Sequence, residues 1–256
     1  MLRETTKGGR VAENLLLAML PKEERARLEP FLERLQFATH DVLIEPYKHI
    51  ENVYFLGNCV TSTLQDMSDG SSIETGLMGV EGLVGIQIWM GTDTTPTRTI
   101  VQIEGGGFRM STADFVREVV QRKESPLNRI VGLYINAFLS MTSLTAACNR
   151  LHTVDERLCR WLGMTHERIR RREFNLRQEF ISRMLGVHRP TVSIAARTLQ
   201  KAGLITYSRG QMKILDPAGL RDGACECLDL MEGQFDKIFG QPWKHFANQV
   251  NGGPPY

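Results

Sequence analysis

Residues 179–215, EFISRMLGVHRPTVSIAARTLQKAGLITYSRGQMKIL, constrain the fold more than any other stretch. Phe180, Ile181, Met184 and Leu185 recur at helical spacing, and Gly186 breaks the pattern with Val187 beside it to plug a turn. A second helix is expected from about Arg189 to Lys201. Pro190 is tolerated in its first turn, where the missing N–H is not needed, and Val192, Ala195, Ala196 and Leu199 make a buried face. Gly203 ends it. Two β-rich runs follow, 204–207 and 212–215, with Ser208-Arg209-Gly210-Gln211 as the turn between them. Two helices at a tight turn followed by a hairpin describe a winged helix-turn-helix, whose second helix suits the DNA major groove.

The outward face of that second helix carries hydrogen-bonding residues: His188, Arg189, Thr191, Ser193 and Arg197. Arginine pairs with guanine edges or grips phosphate, and threonine and serine do either less specifically. Arg209 at the wing tip is placed for a backbone phosphate. The plain alternative is a solvated helix on an ordinary small domain, but turn, helix and hairpin agree with one another. From Arg150 to Lys213 there are fourteen Lys/Arg against five Asp/Glu, although the whole chain carries only +2. Arg168, Arg170, Arg171 and Arg172 lie just upstream of the motif. Next to a helix-turn-helix, such a patch reads as phosphate attraction rather than a merely solvated surface.

At 256 residues, two domains are expected. No run of about 18 apolar residues is apparent, so no membrane span is expected, and the start, MLRETTKGGR, lacks the apolar core of a signal peptide. Cys59, Cys148, Cys159, Cys225 and Cys227 are odd in number and follow no framework, which fits reduced thiols in cytoplasm.

Taken in order, residues 1–14 read as loose, and Glu13 to Arg34 as one or two helices, the second opened by Pro21. From Leu35 to Met110 short β-rich runs (42–44, 53–56, 60–64, 73–77, 99–103, 107–110) alternate with turns, which suggests a small barrel or jelly roll. Ser111 to Asp114 then cap a helix carrying Phe115, Val119 and Val120. A long helix is expected from Pro126 to Arg150, on which Ile130, Tyr134, Ala137, Met141, Leu144, Cys148 and Leu151 step by alternating fours and threes. A helix buried inside one domain gives the same pattern. Its place between a β domain and a DNA-binding domain favours a dimer seam, setting two recognition helices roughly 34 Å apart. A hinge is expected near His152-Thr153, then a helix from Asp155 to Ile169 and, past the wing, one continuous helix from Ala218 to Phe239. The tail after Gly240 shows no periodicity.

In this order, barrel, long helix and C-terminal winged helix resemble the Crp/Fnr family of bacterial transcription regulators. The marks are EGLVG (81–85), AACNRLHTVDERLCRWLG (146–163), LGVHRPTVS (185–193), LITYSRGQMKILD (204–216) and ACEC (224–227). The resemblance implies an α+β protein: a cupin-like, cyclic-nucleotide-binding-like β-barrel sensor over 1–124, a dimerisation helix over 125–152, a winged helix-turn-helix over 153–240 and a tail over 241–256. It also implies a cytoplasmic homodimer on a palindromic operator, with double-stranded DNA, a second copy and RNA polymerase as partners, no membrane and no catalytic residues.

The effector side departs from the nucleotide-binding pattern. Gly82, Gly85, Arg98 and Thr99 are the candidate effector residues. Where nucleotide-binding members of the family place a glutamate against the ribose hydroxyl, this chain has Ile86, and an unpaired hydroxyl costs about 1–3 kcal/mol. cAMP is therefore not expected, and no cofactor is assigned. No cysteine precedes Cys59, against an N-terminal iron–sulfur cluster, and His40 and His49 are poor haem ligands. Cys225-Glu226-Cys227 alone lacks the ligand count for zinc, so inert thiols are expected and no metal site is assigned. On the DNA side, Pro190 and Ile194 replace residues that read bases in better-known members, and Arg177 stands where a threonine usually caps the first helix of the motif, with Asn175 as an imperfect substitute. The alternatives are a metal-dependent cupin-like enzyme, which would need more histidine ligands than His40 and His49, or a barrel serving as a protein-docking module.

Overall fold

The computed structural model describes residues 3–4, 13–169 and 171–244. The loose start, Arg170 of the basic run and most of the expected tail lie largely outside the described residues.

The N-terminal half is an antiparallel β sandwich. One sheet orders β1 (Arg3–Glu4), β2 (Glu33–Phe37), β9 (Gly105–Ser111), β4 (Asn52–Leu56) and β7 (Leu83–Val84). The other orders β3 (Val42–Ile44), β8 (Arg98–Ile103), β5 (Val60–Asp66) and β6 (Ser72–Met78). Short helices α1 (Leu15–Ala18), α2 (Lys22–Leu28), α3 (Ile86–Trp89) and α4 (Thr112–Phe115) close its ends. Asn14 anchors α1: its Oδ1 accepts from the Leu16 and Leu17 amides, and its Nδ2 donates to the Leu56 and Gly82 carbonyls. The six expected strands are present, whereas β2 was not expected, and its first two residues fall in the stretch read as helical. A 3-10 turn over Glu29–Phe31 ends the helical stretch, and Leu35 and Phe37 then alternate inward.

The long helix α5 (Pro126–Leu151) starts where Ser125 accepts from the Asn128 amide, with Pro126 in its first turn. After His152, which is extended, Thr153 and Glu156 form a reciprocal capping box for α6 (Val154–Ile169). Strand β10 (Glu173–Asn175), α7 (Gln178–Leu185), α8 (Arg189–Lys201), β11 (Ile205–Ser208) and β12 (Gln211–Ile214) build the helix-turn-helix and its wing, ordered β10-β12-β11. Beyond the wing the expected single helix is two, α9 (Pro217–Asp222) and α10 (Cys227–Phe239). Gly223 separates them: its backbone lies so close to Cys159 that a Cβ would sit 3.1 Å from the Cys159 sulfur.

The seam on α5 turns inward. Ile130, Tyr134, Ala137, Met141 and Cys148 are buried, with Leu144 half-buried, in the core that the sandwich and α10 share with the helix, while Leu151 is 74% exposed. From Ile130 to Cys148 the heptad therefore records intramolecular packing, and assigning these residues to a dimer contact is corrected. Outward lies a second stripe at the same spacing, Leu133, Asn136, Ser140, Ser143 and Ala147. Ser140 and Ser143 donate to the Asn136 and Leu139 carbonyls within the helix, leaving a shallow face. Contrary to the run-length reading, α5 is the one helix among the described residues long and apolar enough to cross a membrane. Nine of its residues are buried in the core, which accounts for much of that composition.

Candidate nucleic-acid interface

The turn between α7 and α8 depends on Gly186. It is left-handed (φ +59°), and a Cβ there would meet Ile73 of β6 at 2.9 Å, so both backbone conformation and space favour glycine. Val192, Ala195, Ala196 and Leu199 face the core as expected. Tyr207 holds the wing: its hydroxyl donates to the Leu176 carbonyl (2.7 Å) and its amide to Gln200 (2.7 Å), and burial pushes the phenol up to about 12. Arg177 occupies the cap of α7 without a side-chain hydrogen bond, and Asn175 accepts from Gln211 instead of capping.

His188, Arg189, Arg197 and Arg209 are exposed, and Thr191 and Ser193 half-exposed. Arg189 pairs with Glu179 of α7 (2.8 Å), and Ser193 donates to the Arg189 carbonyl (3.1 Å) and to Gln178 (3.3 Å). Arg197 has no hydrogen-bond or ion-pair partner among the described residues. Pro190, Ile194, Arg197 and Lys201 line up along the outermost stripe, and Ile194 is 63% exposed. Lys201 is the residue that sequence reasoning missed; its spacing of four from Arg197 was the available signal. Arg209 lies in a cleft of about 380 Å³ shared with Thr39 and His40 of the sandwich, so the wing tip faces the N-terminal half.

The basic run is reassigned in part. Arg168 is buried against Glu81, and Arg171 pairs with Glu104, so both tie α6 and its exit to the sandwich rather than offering charge to phosphate. A second polar contact crosses the same boundary: buried Glu74 of β6 accepts from Ser62, from Gln102 (3.2 Å) and from Trp161 of α6 (3.4 Å). Burial raises the Glu74 carboxyl, outweighing these hydrogen bonds. A raised carboxyl favours the folded state at low pH, and that contribution is lost as pH rises through the folded value. Glu74→Gln is therefore expected to raise the melting temperature at pH 8 and to change it little at pH 4. Equal shifts at both pH values in thermal melts would remove burial of the charge as the cause.

The candidate effector residues have the following surroundings in the sandwich. Gly82 sits against the Gly79 carbonyl and Leu56, where a Cβ would lie 2.9 Å from each. Gly85 is left-handed (φ +95°) at the start of α3. Arg98 pairs with Asp66 (3.2 Å), and Thr99 is buried beside Thr63. His40 packs on Phe180, and exposed His49 bonds Asp93 (2.8 Å).

Residues 156–222 match the model of the Crp-like helix-turn-helix domain. The chain carries a Crp-like helix-turn-helix domain. That domain spans α6 through α9, and the described residues have the CRP fold of sandwich, long helix and winged helix-turn-helix. It is similar to FixK2 from Bradyrhizobium japonicum (14% identity, 76% of this chain and 98% of that one, TM-score 0.62). It is similar to the c-di-GMP responsive global regulator CLP of Xanthomonas campestris (14%, 77% and 100%, TM-score 0.61). It is also similar to a transcriptional regulator of the CRP family from Thermus thermophilus (15%, 74% and 95%, TM-score 0.59). At such identity these likenesses concern the fold alone. Comparison with curated proteins gave no match.

Proposed function

We propose that this chain is a sequence-specific DNA-binding transcription regulator that acts as a homodimer on a palindromic operator. The observation that carries the reading is the outward face of α8 in the Crp-like domain, where Arg189, Ile194, Arg197 and Lys201 are exposed and Ser193 partly so. Arginines there suit guanine edges or phosphates, and Ile194 suits a thymine methyl. Thr191 and His188 flank this face, and Arg209 would reach phosphate once the wing tip leaves the sandwich. The sandwich serves as the input domain, and its contacts with α6 and α7 bias the recognition helix. RNA polymerase is the further partner of such a regulator.

Dimerisation would use the outer stripe of α5, since the inner seam is occupied. Leu133→Arg combined with Ser140→Arg is expected to convert a dimer to a monomer by light scattering after gel filtration, with the fold intact because both positions are accessible. A dimer that survives both changes moves the interface elsewhere.

Selection of bound duplexes from a random pool tests the function. An enriched palindrome with half-sites about one helical turn apart is expected. Salt-sensitive bulk binding without enrichment, repeated with cyclic nucleotides present, would refute sequence specificity.

A further inference from the structure

Four ligand-bearing side chains far apart in sequence meet at the junction of α5, α6 and α10. Cys148 and His152 lie one turn apart on α5 and its exit, so they share a face. Cys225 lies in the link after α9, and Cys227 opens α10. Their sulfur and imidazole nitrogen atoms all fall within 4.8 Å of one another. The Cys148 and Cys225 sulfurs are 3.5 Å apart, and the Cys227 sulfur is 3.7 Å from His152 Nδ1. A tetrahedral zinc ion with its usual bond lengths has S···S edges of about 3.8 Å and S···N edges of about 3.6 Å. We propose that Cys148, His152, Cys225 and Cys227 form a structural Zn²⁺ site.

Two independent features support it. His152 Nε2 lies 3.0 Å from a Glu226 carboxylate oxygen, leaving Nδ1 towards the sulfurs. A carboxylate that accepts from the far nitrogen of a zinc-bound histidine is the usual second partner of such a ligand. The second feature is charge. Arg157 and Arg160 are 5% and 4% exposed, and neither has an ion-pair partner among the described residues. Among the described residues Arg160 hydrogen-bonds only the Met164 and Met231 sulfurs (3.3 and 3.6 Å) and feels the Glu74 carboxyl beyond ion-pair distance, while Arg157 hydrogen-bonds the Asn149 side chain and the Leu185 carbonyl. Both lie close enough to act on Cys148 and Cys225 electrostatically. Buried guanidinium groups without counter-charge are costly. Three thiolates and one histidine around Zn²⁺ leave one net negative charge beside them.

The location gives the ion a structural task. It fastens the end of α5 to the segment beyond the wing, across the break at His152-Thr153. Arg157 then passes the constraint to Leu185, the residue before the Gly186 turn. The site stands whatever the chain binds.

The test is metal analysis of the full chain purified under reducing conditions, with Co²⁺ as a spectroscopic substitute. One zinc per chain is expected, as are a thiolate-to-cobalt charge-transfer band and tetrahedral ligand-field bands in the Co²⁺ form. Cys148→Ser and Cys225→Ser should each lose stoichiometric metal, whereas Cys159→Ser should keep it. His152→Cys should retain the metal with a stronger charge-transfer band, and Glu226→Gln should bind about 10- to 100-fold more weakly. Three results would overturn the site. They are a wild-type chain that stays metal-free after incubation with Zn²⁺ and reductant, full retention in the Cys148/Cys225 double serine variant, or a Cys148–Cys225 disulfide as the state of the purified protein.

Discussion

Arg168→Ala is expected to destabilise the folded chain by about 3–5 kcal/mol, the usual cost of removing one partner of a buried ion pair. Arg168 and Glu81 are 3% and 1% exposed. The guanidinium Nε and Nη2 both donate to one Glu81 oxygen (2.8 and 2.7 Å), and Nη1 donates to the Met164 carbonyl (3.0 Å). The same group lies 5.8 and 5.4 Å from the Phe235 and Trp243 ring centres. Without it, Glu81 keeps a buried charge and no partner, because its second oxygen already lacks one. For a chain of this size the loss corresponds to roughly 6–20 °C in melting temperature. Arg168→Met with Glu81→Leu should recover most of it, since no charge is then stranded. A double-mutant cycle by urea unfolding separates the two effects; a single-variant loss below about 1 kcal/mol would show that water reaches the pair. The paired variant should also loosen α6 from the sandwich, which hydrogen exchange at the backbone amides of positions 81 and 168 would register.

The second large effect concerns DNA. Arg197→Ala should weaken binding to the selected operator by about 1–3 kcal/mol in each half-site, or roughly 5- to 150-fold per half-site. Arg197 is unpaired in the free chain among the described residues, so no internal contact has to break before it binds. Arg189 must first leave Glu179, 2.8 Å away, so Arg189→Ala should cost less. Anisotropy titrations on the operator and on a scrambled duplex at several salt concentrations distinguish the roles. A base contact lowers operator affinity and alters one position of the selected motif. A phosphate contact weakens both duplexes alike and reduces the salt slope by about 0.9. Unchanged affinity for both duplexes would remove Arg197 from the interface.

Helices α7 and α8, the Gly186 turn and the β11–β12 hairpin were legible from residues 179–215 because their causes are local: spacing of apolar residues, a glycine stop and a short turn. Strands β3, β4, β5, β6, β8 and β9 were legible from their β-rich runs, whereas β1, β2 and β7 were not. Strand β10 was not, because three residues pairing with β12 leave no periodic signal. The split between α9 and α10 was hidden as well, since the apolar spacing continues across a break that close packing at Gly223 and Cys159 imposes.

The sequence by itself determined the type of each long element and which helix presents polar groups outward, since these depend on neighbours three or four residues apart. Tertiary structure alone decided what those elements touch. The heptad on α5 showed that one face is buried but not in what, and the fold gave that face to the chain's own core. Glu81 and Arg168 are separated by 87 residues, and Cys148 and Cys225 by 77. No periodicity links such positions. Their meeting follows from packing of the sandwich, α5, α6 and α10 around one core, where desolvation favours pairing of buried charges.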